Sequence, residues 1–209
     1  MNFRRISSAV AFSALLSACG SGPNNDMTPR QATAVLNEYF AKNPETSKVL
    51  TGMNSLGAQS ESDHWDTPDG KYQKAMEAAG LVTITPKGKI YNPANRNQWL
   101  NALDVKLTER GKRMVRGKPQ IMPAPSANTW DTVYENAVFC TKLVLRIASI
   151  STTGDTARAD YRYEYGGFTP FYDAFHLAEP TDTNTCSTQP QDAMASFDRT
   201  NGLWSISTQ

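Results

Sequence analysis

Residues 157–165 read Ala-Arg-Ala-Asp-Tyr-Arg-Tyr-Glu-Tyr. Ala157, Ala159, Tyr161, Tyr163 and Tyr165 alternate with Arg158, Asp160, Arg162 and Glu164, which is the period-two pattern of a half-buried strand. Gly166-Gly167 stops the pattern, and Gly154-Asp155 before it marks a turn. Upstream, Phe139, Thr141, Leu143, Leu145 and Ile147 are predicted to share one strand face, with Lys142 and Arg146 on the other. Downstream, Ala193, Ala195 and Phe197 predict another strand. Asn201-Gly202 is a type I′ turn signal, and Leu203 to Ser207 returns with Trp204 and Ile206 on one side. Several long antiparallel strands within residues 129–209 suggest a curved sheet. Thr169 to Pro180 carries Phe171, Tyr172, Phe175 and Leu177, an apolar patch without a clear period. The tyrosine ladder reads as core, with a half-exposed binding surface as the alternative.

Ahead of this sheet the pattern changes. Thr28 can cap a helix, Pro29 suits its first turn, and Ala32, Val35, Leu36, Tyr39 and Phe40 follow the helical stripe until Asn43-Pro44. Residues 51–67 are polar and read as loop. A second helix is expected from about Asp69 to Ala79, with Tyr72, Ala75, Met76 and Ala79 on one face and Gly80 at its end. Leu81 to Thr85 and Leu103 to Leu107 read as strands. Thr108 can cap a short helix through about Arg116, after which Gly117 and Pro119 break the chain. Pro119, Pro123 and Pro125 make residues 119–128 read as a linker. The fold class expected is therefore α+β, with a small helical part at 28–118 and a curved antiparallel sheet at 129–209.

Two local resemblances accompany this layout. Ala75 to Val82, followed by Val105-Lys106-Leu107-Thr108-Glu109-Arg110-Gly111-Lys112, resembles winged-helix modules, in which a helix and glycine-leucine enter the wing and leucine-threonine-x-x-glycine leaves it. The match covers residues 70–116 and implies a wing, reused for protein contact in an exported chain, since function belongs to sites rather than folds. The C-terminal strand, Asn-Gly turn and Leu-Trp return resemble cystatin-like sheet domains.

The first nineteen residues, MNFRRISSAVAFSALLSAC, start basic and run through a short apolar stretch. That stretch is about ten residues, against the roughly 20 a spanning helix needs, and it closes on Leu16-Ser17-Ala18-Cys19. It resembles a bacterial lipoprotein signal peptide with its lipobox. The resemblance implies removal of residues 1–18, a diacylglycerol on the Cys19 thiol and a second acylation, palmitate-like, on the new amino group. Two chains hold a bilayer stably where one does not. It also implies residues 19–27 as lipidated cysteine and tether. Gly20 after the cysteine favours the outer membrane, facing the periplasm, in a Gram-negative host. If lipid takes Cys19, Cys140 and Cys186 remain, and an oxidising compartment would join them. Two separate buried thiols are the alternative.

Composition narrows the chemistry. The chain carries 21 lysines and arginines against 20 acidic residues, so its balance does not suit a dedicated nucleic-acid binder, and neither does export. Between Pro86 and Lys118, however, nine basic residues face only Asp104 and Glu109. Lys106, Arg110, Lys112, Arg113, Arg116 and Lys118 form a candidate binding patch for an anionic surface or an envelope protein. A solvated face is the plainer reading. The only histidines are His64 and His176. Asp63-His64-x-Asp66 falls short of a zinc set, and no nucleophile elbow, zincin, phosphate-loop or dinucleotide fingerprint appears. The expectation is a lipid-anchored envelope protein that binds, with no catalytic site, metal or cofactor beyond the covalent lipid. An inhibitor or immunity lipoprotein, or an envelope hydrolase, are the alternatives.

Overall fold

A computed structural model describes residues 26–56, 65–91, 99–124, 130–180 and 186–207. Cys19, residues 1–18, most of the tether, Asp63, His64 and the linker residues 125–128 lie outside the described residues. In chain order the elements are α1 (Pro29–Lys42), β1 (Glu45–Leu56), α2 (Pro68–Ala78), β2 (Val82–Tyr91), β3 (Trp99–Leu107), α3 (Glu109–Lys112), β4 (Val115–Met122), β5 (Thr132–Thr153), β6 (Thr156–Gly166), α4 (Pro170–Ala178), β7 (Gln191–Thr200) and β8 (Leu203–Ile206). The fold is α+β: eight antiparallel strands in the order β2-β3-β1-β5-β6-β7-β8, with β4 also paired to β5.

β5 organises everything else. Its first half pairs with β1 and β4, and from Thr141 onward it pairs with β6. Two hydrophobic cores lie along it. One gathers Val49, Met76, Leu81, Val105, Phe139 and Phe171, with Cys140 and Cys186. The other gathers Met27, Leu36, Phe40, Tyr161, Tyr163 and Phe197. Neither core is built from one continuous stretch of chain. α1 lies on the β5–β8 sheet rather than beside α2, while α4, from the C-terminal half, packs on α2.

The local signals explain most elements. Thr28 and Gln31 form a reciprocal capping box on α1, with Pro29 in the first turn. Met27, one residue before the cap, shares a core with Ala32, the fourth helical residue, as in a hydrophobic staple. Met27 is thus buried rather than part of a tether, and its backbone N–H donates to Thr152 Oγ1 at 3.1 Å. In β6, Ala157, Ala159, Tyr161 and Tyr163 are buried, as the alternation requires. Asn201 and Gly202, at φ of 52° and 79°, join β7 to β8 in the type I′ pattern.

Further expectations need correction. The helix capped by Thr108, expected through about Arg116, ends at Lys112, and Val115 and Arg116 already belong to β4. Residues 51–56, read as loop, continue β1. Val49 is fully buried, and pairing first with β5 up to Thr51 and then with β3 from Gly52 supplies what the pattern lacks. Residues 119–122, read as linker, belong to β4. The strand tolerates Gly117, at φ of 70°, and Pro119 because its register with β5 shifts between Arg116 and Gln120. Finally, the face assigned to β5 holds at Phe139 and Ile147 but fails at Leu143 and Leu145. Leu143 and Leu145 are 43% and 48% exposed, whereas Val144, Ile147 and Ile150 pack into the second core. β5 carries a register shift against β1 between Val138 and Cys140, and further shifts against β6 between Val144 and Arg146 and between Ile147 and Ser149. Each extra residue moves the inward positions on by one, so counting by two fails.

Candidate functional site

The six candidate patch residues are spread over β3, α3, the residue just after α3 and β4, and the structure separates them into three pairs. Arg110 and Arg113 are engaged at the chain's own backbone. The Arg110 guanidinium donates to the Ala79 carbonyl at 2.7 Å, and Arg113 Nε to the Glu109 carbonyl at 3.2 Å. Arg110 thereby satisfies a carbonyl at the C-terminal end of α2, where helix carbonyls lack partners. Arg116 and Lys118 stand exposed on β4 and form no ion pair among the described residues. Lys106 and Lys112 both line a cleft of about 380 Å³.

Strand geometry makes this cleft. β1 leaves β5 after Thr51 and pairs with β3 from Gly52 onward. Gly52 has φ of 79°, and a Cβ there would meet Val133 Cγ2 at 3.3 Å. The residue is glycine because the bend needs both the left-handed conformation and the space. β3, α3, β4 and the start of β5 enclose the hollow so formed. Its floor includes Val105, Leu107, Val115 and Val133, and Glu135 joins the lysines at the rim.

Asp104 sets the electrostatics. It is only 7% exposed, and its Oδ2 lies 3.0 Å from Lys106 Nζ and 3.5 Å from Lys87 Nζ. The Lys106 hydrogen bond, with the charge of both lysines, holds the Asp104 carboxyl below its ordinary value against the opposing effect of burial. Lys112 pairs at the surface with Glu109 at 2.7 Å. The cleft therefore has an apolar floor and a charged rim with surplus positive charge just beyond it on β4.

A turn-to-turn contact holds α3 and its lysine in place. The Thr108 hydroxyl donates to the Gly80 carbonyl at 2.7 Å and accepts from Gly111 N at 3.1 Å. Thr108 N donates to the Leu81 carbonyl at 2.9 Å. The Gly80-Leu81 and Thr108-x-x-Gly111 signatures, 28 residues apart, are the two halves of one joint.

Elsewhere, Cys140 and Cys186 form a disulfide within the first core. His176 packs edge-on against Tyr172 with ring centroids 4.6 Å apart. Asp66 is exposed, and no group of three or more candidate metal ligands occurs among the described residues. Among those residues no helix is long and apolar enough to cross a membrane. Gly52, Asp104, Val133 and Glu135 escaped the sequence reading as site residues. Only Gly52, a glycine inside a strand, carried a signal that could have pointed there. The described residues form an α+β protein on an open antiparallel sheet, with a hollow whose rim carries Lys106 and Lys112 beside Asp104 and Glu135. Compared with known proteins, the chain matches no family model, no curated protein and no solved structure.

Proposed function

We propose that this chain is a lipid-anchored cell-envelope protein that acts by binding, not catalysis. Its Cys19 carries the acyl chains, and its place is the outer membrane on the periplasmic side. The reading is supported by the small-residue run before Cys19 and by the buried Cys140–Cys186 disulfide, which suits an oxidising compartment. The observation that carries the binding role is the meeting of Lys106 and Lys112 at one apolar-floored cleft.

We read α2, β2, β3 and α3 as a winged-helix-like unit turned to protein contact, and the α1-covered sheet as cystatin-like. The joint of Gly80-Leu81 with Thr108–Gly111 supports the first comparison. The packing of α1 over β5 and β8 supports the second.

The test has two arms. Full-length protein expressed with a labelled fatty acid should take up label, and Cys19→Ser should abolish it. Purified protein should then capture an envelope partner, and Lys106→Glu with Lys112→Glu should weaken that capture. Unlabelled protein removes the anchor, and capture indifferent to both reversals removes the cleft.

A further inference from the structure

We propose that the cleft between β3, α3, β4 and β5 receives an acidic polypeptide segment in which apolar side chains alternate with carboxylates. This rests on the binding reading above and names the partner's chemistry. Four features point to it. The floor offers the partly exposed Leu107, Val115 and Val133 to an apolar side chain, a surface that phosphate groups and sugars leave unused. The rim offers Lys106 and Lys112, and Arg116 and Lys118 follow on β4 without ion-pair partners among the described residues. Asp104 sets one negative charge against the two positive charges of Lys87 and Lys106, so it offsets part of the attraction for an anion and leaves a surplus. Glu135 on the rim repels a dense polyanion but can accept hydrogen bonds from a peptide backbone.

Placement along β5 argues against the anchoring bilayer as occupant. The chain from Met27 to Thr51 runs the length of β5 in the opposite direction. Met27 sits at Thr152, Asn37 Oδ1 accepts from Val144 N, Glu45 lies opposite Cys140 and Thr51 opposite Val133. α1, with 14 residues, adds about 21 Å to that path. The first seven residues of β1 add about 23 Å. The cleft therefore lies at the end of the molecule remote from the residue that follows the tether. A flat headgroup layer also has no convex part to enter a hollow.

The experiment uses the full chain, purified in detergent, with a fluorescein-labelled decapeptide of alternating leucine and glutamate as probe. Binding is read by anisotropy, beside a leucine–glutamine peptide, a serine–glutamate peptide and vesicles rich in phosphatidylglycerol. The leucine–glutamate peptide should bind best, lose affinity as salt rises, and lose roughly tenfold on Lys106→Glu with Lys112→Glu. Where the reversal lowers stability, Lys106→Gln with Lys112→Gln gives the same comparison without repelling Asp104. Peptide binding unchanged in these variants overturns the site. Equal binding of the serine–glutamate peptide overturns the apolar floor. Lysine-dependent binding of vesicles with no binding of peptide overturns the partner class while leaving the basic cleft as a binding site. Binding of neither probe overturns the acidic segment as occupant, while partner capture that still depends on Lys106 and Lys112 keeps the binding role.

Discussion

Lys142 Nζ lies 3.0 Å from Glu45 Oε1, at the point where β5 passes from one core to the other. The ammonium also sits over the rings of Phe40, Tyr163 and Tyr165 at 5.7, 5.2 and 5.7 Å from their centroids. An inward lysine among aromatic rings is held by its stem as well as its charge. Burial alone would lower the Lys142 pKa, but the hydrogen bond and charge of Glu45 outweigh it, and the pKa is raised. Lys142→Ala should destabilise by about 1–3 kcal/mol and Lys142→Met by less, because Met keeps the stem. Urea midpoints of the two variants check this.

Alkali should unfold the protein. Burial raises the pKa of Tyr72, Tyr161 and Tyr165, and Lys142 is raised as well. A group whose folded pKa exceeds its unfolded one contributes stability in full below the unfolded value, and loses it as pH climbs through the folded value. For tyrosine and lysine the loss begins above roughly pH 10. The urea midpoint should hold up to that point and then fall, and it should fall less steeply in Lys142→Met.

Acid works through Asp104 with the opposite sign. Its pKa is depressed, chiefly by the Lys106 hydrogen bond. Its contribution is present above the ordinary carboxylate value of about 3.9 and disappears as pH drops below it. Asp104→Asn should flatten the stability curve in that acid range. The same substitution releases Lys87 and Lys106 and should tighten anion binding at the cleft.

Gly111 carries a steric demand. A Cβ there would stand 2.2 Å from the Leu81 carbonyl oxygen, which is backbone and cannot swing aside. Gly111→Ala should cost about 1–3 kcal/mol as an overpacked site. Thr108→Ala should cost about 1 kcal/mol as a lost helix cap. Thermal melts of both variants measure the joint between the turns.

The disulfide closes a separation of 46 residues. In the chain-entropy treatment that length corresponds to about 4 kcal/mol. Reduction, or Cys140→Ser with Cys186→Ser, should lower the urea midpoint accordingly. It should loosen α4 first, since Cys186 follows α4 and Cys140 lies in β5. Hydrogen exchange on Phe171 to Phe175 would register that order.

Where the local rule was sufficient, the sequence was legible. The Tyr161–Tyr165 ladder, the Thr28 cap and the Asn201-Gly202 turn each depend on neighbours within a few positions. β1 was not legible, because polar residues in a central strand take their stability from partners far along the chain. The inward face of β5 was hidden by extra residues along the strand that no period announces. α4 is a nine-residue helix, and its aromatic content masked its helical spacing. The cleft was the least visible feature. Lys106 and Lys112 stood out as charge, but the hollow between them is made by Gly52, Val133 and Glu135, brought together only by pairing between strands.

Because α1 serves the core of the C-terminal strands and α4 serves the core of the N-terminal ones, the two halves of the chain are interlaced. A break in the backbone between Met122 and Thr132 would not release two independent folding units. Each fragment would lack a helix that the other possesses, and β5 would lack β1 and β4 along its first half. Co-expressed fragments should recover the native form only by complementation, as a split protein whose reassembly reports on the proximity of whatever is fused to its ends.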